Sequence, residues 1–259
     1  MRLVRSQAAF LFVAFSVVVS GQNRMPQQDP EIVTDRPDIT ESSIVVPKGS
    51  LQSENGLTWT EDHGKRMLDV SETLLRFGVA SQTELRFGVP NYTFGFPGRT
   101  SGLADLSVGV KQQIGPLPGG FDLAVIAAVS FPTGANRISS HGYDPFLKVP
   151  WSKELKNGWS VGGMQSVFWY TDGARRNWTW EPTLYVERQI TKPWDAFLEY
   201  GGDYAQYGGS KQVAHIGTAF KITPTNQVDF HLGFGMSHAT PGRFFAIGYS
   251  FRVDRLWGR

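Results

Sequence analysis

From Leu51 onward, apolar and polar positions alternate with a period of two, and turn-forming residues interrupt the alternation at short intervals. That period belongs to β-strands, whose successive side chains point to opposite faces. Between Asn226 and Met236, Val228, Phe230, Leu232, Phe234 and Met236 share one face, and Asp229, His231, Gly233 and Gly235 the other. Between Arg243 and Asp254, Phe245, Ile247, Tyr249, Phe251 and Val253 oppose Phe244, Ala246, Gly248, Ser250 and Arg252. Between Asn177 and Ile190, Trp178, Trp180, Leu184 and Val186 oppose Thr179, Glu181, Thr183, Tyr185, Glu187 and Gln189. No amphipathic helical stretch of useful length appears. The pattern predicts an all-β chain of about twelve strands, from Leu51 to near Asp254. Two places are irregular. The parity of Trp159 to Trp169 is ambiguous, and Leu68 to Val70 is out of phase with Leu75 to Val79, which a β-bulge would explain.

Alternation alone fits both a soluble sandwich and a membrane barrel. In a sandwich the apolar face meets a second sheet; in a barrel it meets lipid and the polar face lines the lumen. Three features favour the barrel. The strands are long, often near the ~9–11 residues a tilted membrane strand needs. The polar face is rich in Gly, Ser and Thr as well as charge of both signs. Trp59, Tyr92, Trp159, Trp169, Trp178, Trp194 and Tyr207 gather near strand ends, where aromatic girdles lie. The connections also alternate. Ala80 to Gln82, Gly115 to Gly120, Glu154 to Gly158, Thr191 to Pro193 and Thr223 to Asn226 are turn-like, whereas Pro90 to Ser101, Pro132 to Gly142 and Ser237 to Gly242 are longer. Short periplasmic turns and longer outside loops are expected of a transmembrane antiparallel up-and-down β-barrel, with both termini periplasmic.

The start of the chain reads differently. Arg2 and Arg5 precede an apolar run from Ala8 to Val19, followed by Ser20 and Gly21. This is the layout of a signal peptide, residues 1–21, cleaved after Gly21. The run falls short of the ~20 residues that span a bilayer. Residues 22–50 are polar, carry Pro26, Pro30, Pro37 and Pro47 and keep no period. They read as an extended periplasmic segment before a barrel over 51–254 and a tail over 255–259.

Composition changes this picture only at the margins. The chain has no cysteine, so disulfides and thiolate metal sites are excluded. A formal net charge of +2, without aromatic-basic interleaving, gives no reason to expect nucleic acid. The slightly polar mean hydropathy argues against a helical membrane protein but not against a barrel, whose two faces average out.

Parity sends Glu54, Arg76, Glu84, Arg86, Asp105, Lys111, Lys148, Glu181, Glu187, Glu199, Asp203, His215, Lys221, Asp229, His231 and Arg252 inward. Two readings of this set stay open. The charges pair across strands and fill a narrow interior, or they line a pathway for a small solute. Asp35, Arg36, Asp38 and Glu41 lie in Thr34 to Ser42, which either folds into the periplasmic mouth against those charges or hangs as a loose tail. His215 and His231 fall on neighbouring strands near Asp229, where membership of a hydrogen-bonded network is more ordinary than a role as base or metal ligand. Ser139-Ser140-His141 falls on an outside loop and is read as incidental. No catalytic residue, metal site or cofactor is expected. Lys65, Arg66, Arg99, Arg137, Arg175, Arg176 and Arg243 lie on the outside loops, as lipopolysaccharide contacts or as solvated surface charge.

The most distinctive stretch is Thr34-Asp35-Arg36-Pro37-Asp38-Ile39-Thr40-Glu41-Ser42, followed by Val46-Pro47-Lys48-Gly49 and Leu51 to Gly56. Leu74 to Gly78, Glu84 to Gly88, Leu103 to Lys111 and Phe131-Pro132-Thr133-Gly134 complete the order. This series resembles the outer-membrane transporter family associated with the meta-pathway of phenol degradation, over nearly the whole mature chain. The resemblance implies a barrel in the outer membrane, among its lipid and lipopolysaccharide, inserted by the outer-membrane assembly machinery. The last strand resembles an assembly signal, although Arg255 to Arg259 trail behind it. The function expected is a transporter or narrow channel for small solutes, hydrophobic or aromatic ones included. The alternatives are a non-conducting structural or surface-interaction barrel and a lipid-modifying enzyme.

Overall fold

A computed structural model describes residues 30–257 except His63, Pro97 to Arg99 and Pro241. The signal peptide and Arg99 therefore lie outside the described residues. Fifteen antiparallel strands follow in order: β1 (Leu51–Asp62), β2 (Lys65–Val70), β3 (Thr73–Ala80), β4 (Thr83–Val89), β5 (Tyr92–Gly95), β6 (Gly102–Leu103), β7 (Leu106–Gln113), β8 (Phe121–Phe131), β9 (Asp144–Glu154), β10 (Trp159–Asp172), β11 (Arg175–Thr191), β12 (Trp194–Ala205), β13 (Lys211–Thr223), β14 (Asn226–Gly235) and β15 (Arg243–Val253). β15 pairs with β1 from Leu51↔Val253 to Glu61↔Arg243, which closes the sheet on itself. β2 with β3, β4 with β5 and β6 with β7 are halves of single staves, so the wall has twelve staves.

The two irregular places in the sequence have local causes. β1 pairs with β2 at Leu57↔Val70 and with β3 at Glu54↔Leu74. The second stave thus holds one residue more than β1 over this stretch, and Ser71 sits there at a φ of 55°. This β-bulge puts Leu68 and Val70 on the same face as Leu75 and Phe77. The parity of β10 follows from its partners: Ser166 lies opposite both Lys148 and Glu181, so Ser160, Met164 and Ser166 point inward. Trp159, Val161, Val167 and Trp169 point outward.

The barrel is apolar outside and polar inside. Leu184, Leu198, Ile216, Phe230 and Ile247 are exposed, while Glu54, Arg76, Glu84, Lys111 and His215 are each 0% exposed. A soluble sandwich would bury the first group. A wall of this kind is stable only where lipid covers it, and closure leaves no unpaired edge in the bilayer. Trp159 and Trp194 lie near the end with the short turns and with residues 30 and 257, the periplasmic rim; Trp169, Trp178, Tyr143 and Tyr207 lie near the opposite end.

Candidate functional site

Residues 30–50 occupy the lumen. The segment leaves and regains the periplasmic rim. At one end the Gly49 N–H donates to the Gly78 carbonyl at 2.7 Å. At the other the Ile32 N–H donates to the Pro224 carbonyl at 2.8 Å, and the Arg252 guanidinium donates to the Pro30 carbonyl at 2.5 Å. Between these anchors the segment forms neither strand nor helix. Its buried amides therefore need other acceptors, and carboxylates of the wall supply them. Glu54 accepts from the Asp35 and Arg36 amides at 2.8 and 3.1 Å, and Glu84 from the Val46 amide at 2.7 Å. Glu199 accepts from the Ile39 and Thr40 amides, both at 2.8 Å, and from the Thr40 hydroxyl at 2.6 Å.

The charges of the segment meet complementary charges of the wall. Asp35 receives Lys111 at 2.9 Å, Arg86 at 2.5 Å and Arg76 at 3.4 Å. Glu41 receives Arg86 at 2.7 Å and Lys148 at 2.6 Å. Arg76 in turn bonds Glu54 and Glu84, each at 2.8 Å. Arg36 lies flat against Gly56 and Gly248, where a Cβ on either residue would collide with its guanidinium. From there it reaches Glu72 and Asp229, each at 3.4 Å. Burial alone would raise the Asp35 carboxyl, but Arg76, Lys111 and Arg86 hold it well below the usual carboxylate range. Burial likewise works against Glu41, and Arg86 and Lys148 still hold it below that range. Among the described residues Asp38 has no cationic partner. Burial, with Glu199, Glu187 and Asp229 nearby, pushes its carboxyl well above the usual range.

Fifteen of the sixteen residues expected in the lumen lie on the inner face of their strands, Asp105 being the exception, and they do not form one site. Glu54, Arg76, Glu84, Arg86, Lys111 and Lys148 join Asp35 and Glu41 in one network. Glu199, His215 and His231 form a second at the tip of the segment. Asp229 meets Arg36, and Arg252 pairs with Asp254 at 2.6 Å. Glu181, Glu187, Asp203 and Lys221 stay off these networks: Asp203 pairs with Lys211 at 3.2 Å, Lys221 with Glu31 at 3.3 Å, and Glu187 accepts from Ser160 at 3.3 Å. Asp105 instead holds the outside loop, accepting from the Gly134 amide at 2.8 Å and the Ser139 hydroxyl at 3.1 Å. The His141 ring meets the Asn136 carbonyl rather than a serine hydroxyl. Arg176 and Arg243 already pair with Asp144 and Glu61, at 2.9 and 2.7 Å.

Sequence reasoning missed several contacts of the segment. Gln52 donates to the Val33 carbonyl and Gln227 to the Thr34 hydroxyl, both at 2.8 Å. Each shares a face with a residue already placed inward, Glu54 and Asp229, so parity could have found them. Glu72 sits at the bulge, where parity gives no answer.

Cavities remain on both sides of the segment. One of about 310 Å³ is lined by Asp38, Glu154, Ser160, Tyr185 and Glu187. Another, of about 380 Å³, reaches Ile39, Glu72, Leu74, Val89 and Asn91. It lies where the wall ladder is interrupted, between Val70↔Tyr92 and Thr73↔Val89.

The model of the family described as "Putative MetA-pathway of phenol degradation" matches residues 34–253. No curated protein matches the chain in sequence. Among solved structures, an outer membrane channel from Pseudomonas putida F1 is similar, with a TM-score of 0.68 at 14% identity, over 82% of this chain and 98% of that one. The NanC porin gives a TM-score of 0.56 at 12% identity, over 78% and 100%. The KdgM porin gives 0.52 at 9% identity, over 78% and 98%. The shared architecture is that of an outer-membrane barrel.

Proposed function

The chain belongs to the family described as "Putative MetA-pathway of phenol degradation", and on that premise we propose that it is an outer-membrane channel for small solutes, closed at rest by its own residues 30–50. The observation that carries this reading is the clamping of that segment. Asp35 and Glu41 satisfy four wall cations, Arg76, Arg86, Lys111 and Lys148, inside a closed barrel. A purely structural barrel needs no such insert, because wall carboxylates could neutralise the same cations. The architecture shared with a channel and two porins supports the reading.

The cavity at the interrupted ladder bears on the class of solute. Ile39, Leu74 and Val89 give it an apolar part beside the charged groups of the plug and wall, and Val89 is also exposed on the lipid-facing side. A small aromatic solute with a polar group, entering from the bilayer, would meet both kinds of surface there. We assign no catalytic role to any residue. Solute entry into proteoliposomes tests the proposal: small aromatic solutes should enter faster than polar ones of equal size, and Asp35→Asn should accelerate both. Absence of flux for every solute, with and without that substitution, would leave the non-conducting barrel as the correct reading.

A further inference from the structure

We propose that Glu199, His215 and His231 form an acid-sensitive latch on the tip of residues 30–50; this rests on reading that segment as the gate. Glu199 is the anchor. Its carboxylate accepts from two plug amides and the Thr40 hydroxyl, and from His215 Nδ1 at 2.9 Å. Three of these are fixed donors, and the arrangement suits an ionised, acceptor-only carboxylate facing a protonated His215 Nδ1. His215 Nε2 lies 2.5 Å from His231 Nδ1. With His215 neutral, its Nε2 accepts and His231 Nδ1 donates. One nitrogen is left over. His231 Nε2 is buried and has no hydrogen-bond partner, and the whole residue is 8% exposed. Every other ring nitrogen of the relay already has a partner, so His231 Nε2 is the open position for an added proton.

The groups facing that position set the consequence. β12 contributes Glu199 and the Phe197 ring, and β13 contributes His215. β14 carries Asp229 two residues away on the same face, and β15 contributes the Phe244 ring. The plug contributes Arg36, held by Asp229 and Glu72, together with Asp38 near Glu199 and Asp229. An imidazolium here has an apolar ring on one side and the Arg36 cation within electrostatic range on the other. Its new N–H has no acceptor in place. Glu199 is saturated, and if Asp229 turns its unpartnered oxygen to the imidazolium it gives up Arg36. Either course loosens the plug: repulsion displaces Arg36, or Arg36 loses a carboxylate. Withdrawal of the tip removes the repulsion and lets water reach His231.

Asp35 and Glu41 are held below the usual carboxylate range and stay ionised in mild acid. The latch therefore acts above the pH at which those clamps fail. The test is planar-bilayer conductance of the full-length barrel, titrated from neutrality into acid as far as the clamps hold. Wild type should open severalfold towards acid, and His231→Gln should give a flat profile. His231→Asn serves as the second variant should the first fail to show heat-modifiable migration. His215→Gln should raise conductance at neutral pH, since Glu199 loses a donor. A wild-type profile that is flat, or one that survives in the folded His231 variants, overturns the latch. Asp35→Asn at neutral pH separates the two readings. If it conducts no better than wild type, the gate itself is wrong; if it conducts while wild type ignores acid, only the latch is wrong.

Discussion

The two sides of the lumen meet the plug on different terms. The side built from β1, β3, β4 and β7 presents Arg76, Arg86 and Lys111, and every one of these cations is bound to a carboxylate of the plug or of the wall. The side from β9 to β12 presents Glu154, Glu181 and Glu187, and among the described residues none of these has a salt-bridge partner. A cavity lies against this second side, lined by Glu154, Glu187 and the plug's own Asp38. One side clamps with paired cations; the other holds the plug only through Lys148 and Glu199 and elsewhere leaves room. Inside a barrel, charge is therefore not filler by default: what matters is whether each charge finds its partner on the wall or on the insert.

The largest break in this contrast comes from Asp35→Asn. It leaves Arg76, Arg86 and Lys111 around a neutral side chain, and removing one partner from a buried ionic network costs about 3–5 kcal/mol. Single-channel conductance should shift from mostly closed to mostly open; an unchanged closed state would mean that the clamp does not hold the plug. Next is Glu199→Gln. A neutral amide serves three plug donors poorly, at about 1–3 kcal/mol, so amide hydrogen exchange at Ile39 and Thr40 should quicken while that at Val46, held by Glu84, does not.

A smaller effect follows from pH. Asp38 has a raised carboxyl, so the seated plug favours its protonated form; that contribution is complete below its ordinary range and is lost as pH rises through the raised value. Asp35 and Glu41 are depressed, so their contribution is present above the ordinary range and is lost only as pH falls through the lowered values. Protection of the Ile39 amide, corrected for intrinsic exchange, should therefore fall as pH rises through that raised value in wild type, and Asp38→Asn should remove that branch. The smallest effect concerns selectivity. In an Asp35→Asn background the open side should prefer cations, because its carboxylates are unpaired. Glu187→Gln should shift the reversal potential in a salt gradient by a few millivolts towards zero; no shift would place the pathway elsewhere.

Much of this was legible in the sequence. Period-two alternation places Val228 and Phe230 in lipid and Asp229 and His231 in the lumen without any tertiary information, because the pleat allows nothing else. The phase conflict between Val70 and Leu75 marked the bulge. The plug was legible only as a possibility. Residues 22–50 have no period, and the seating of residues 30–50 depends on pairings across the barrel, such as Asp35 with Lys111, that no local pattern encodes. Asp105 shows the converse limit: parity sends it inward, but it falls between β6 and β7 and holds the outside loop. The wall interruption near Asn91 was equally hidden, since Pro90 read as the start of a loop.

The central claim is that the segment after residue 30 sits inside the barrel, and a cysteine-free chain allows a direct test. Ser43 on the plug and Ser152 on β9 have their hydroxyl oxygens 2.9 Å apart. In Ser43→Cys/Ser152→Cys, a disulfide should form in the folded, membrane-inserted barrel, lock conductance shut and release it on reduction. Free thiols at both positions in a folded barrel, with conductance indifferent to reductant, would contradict the account.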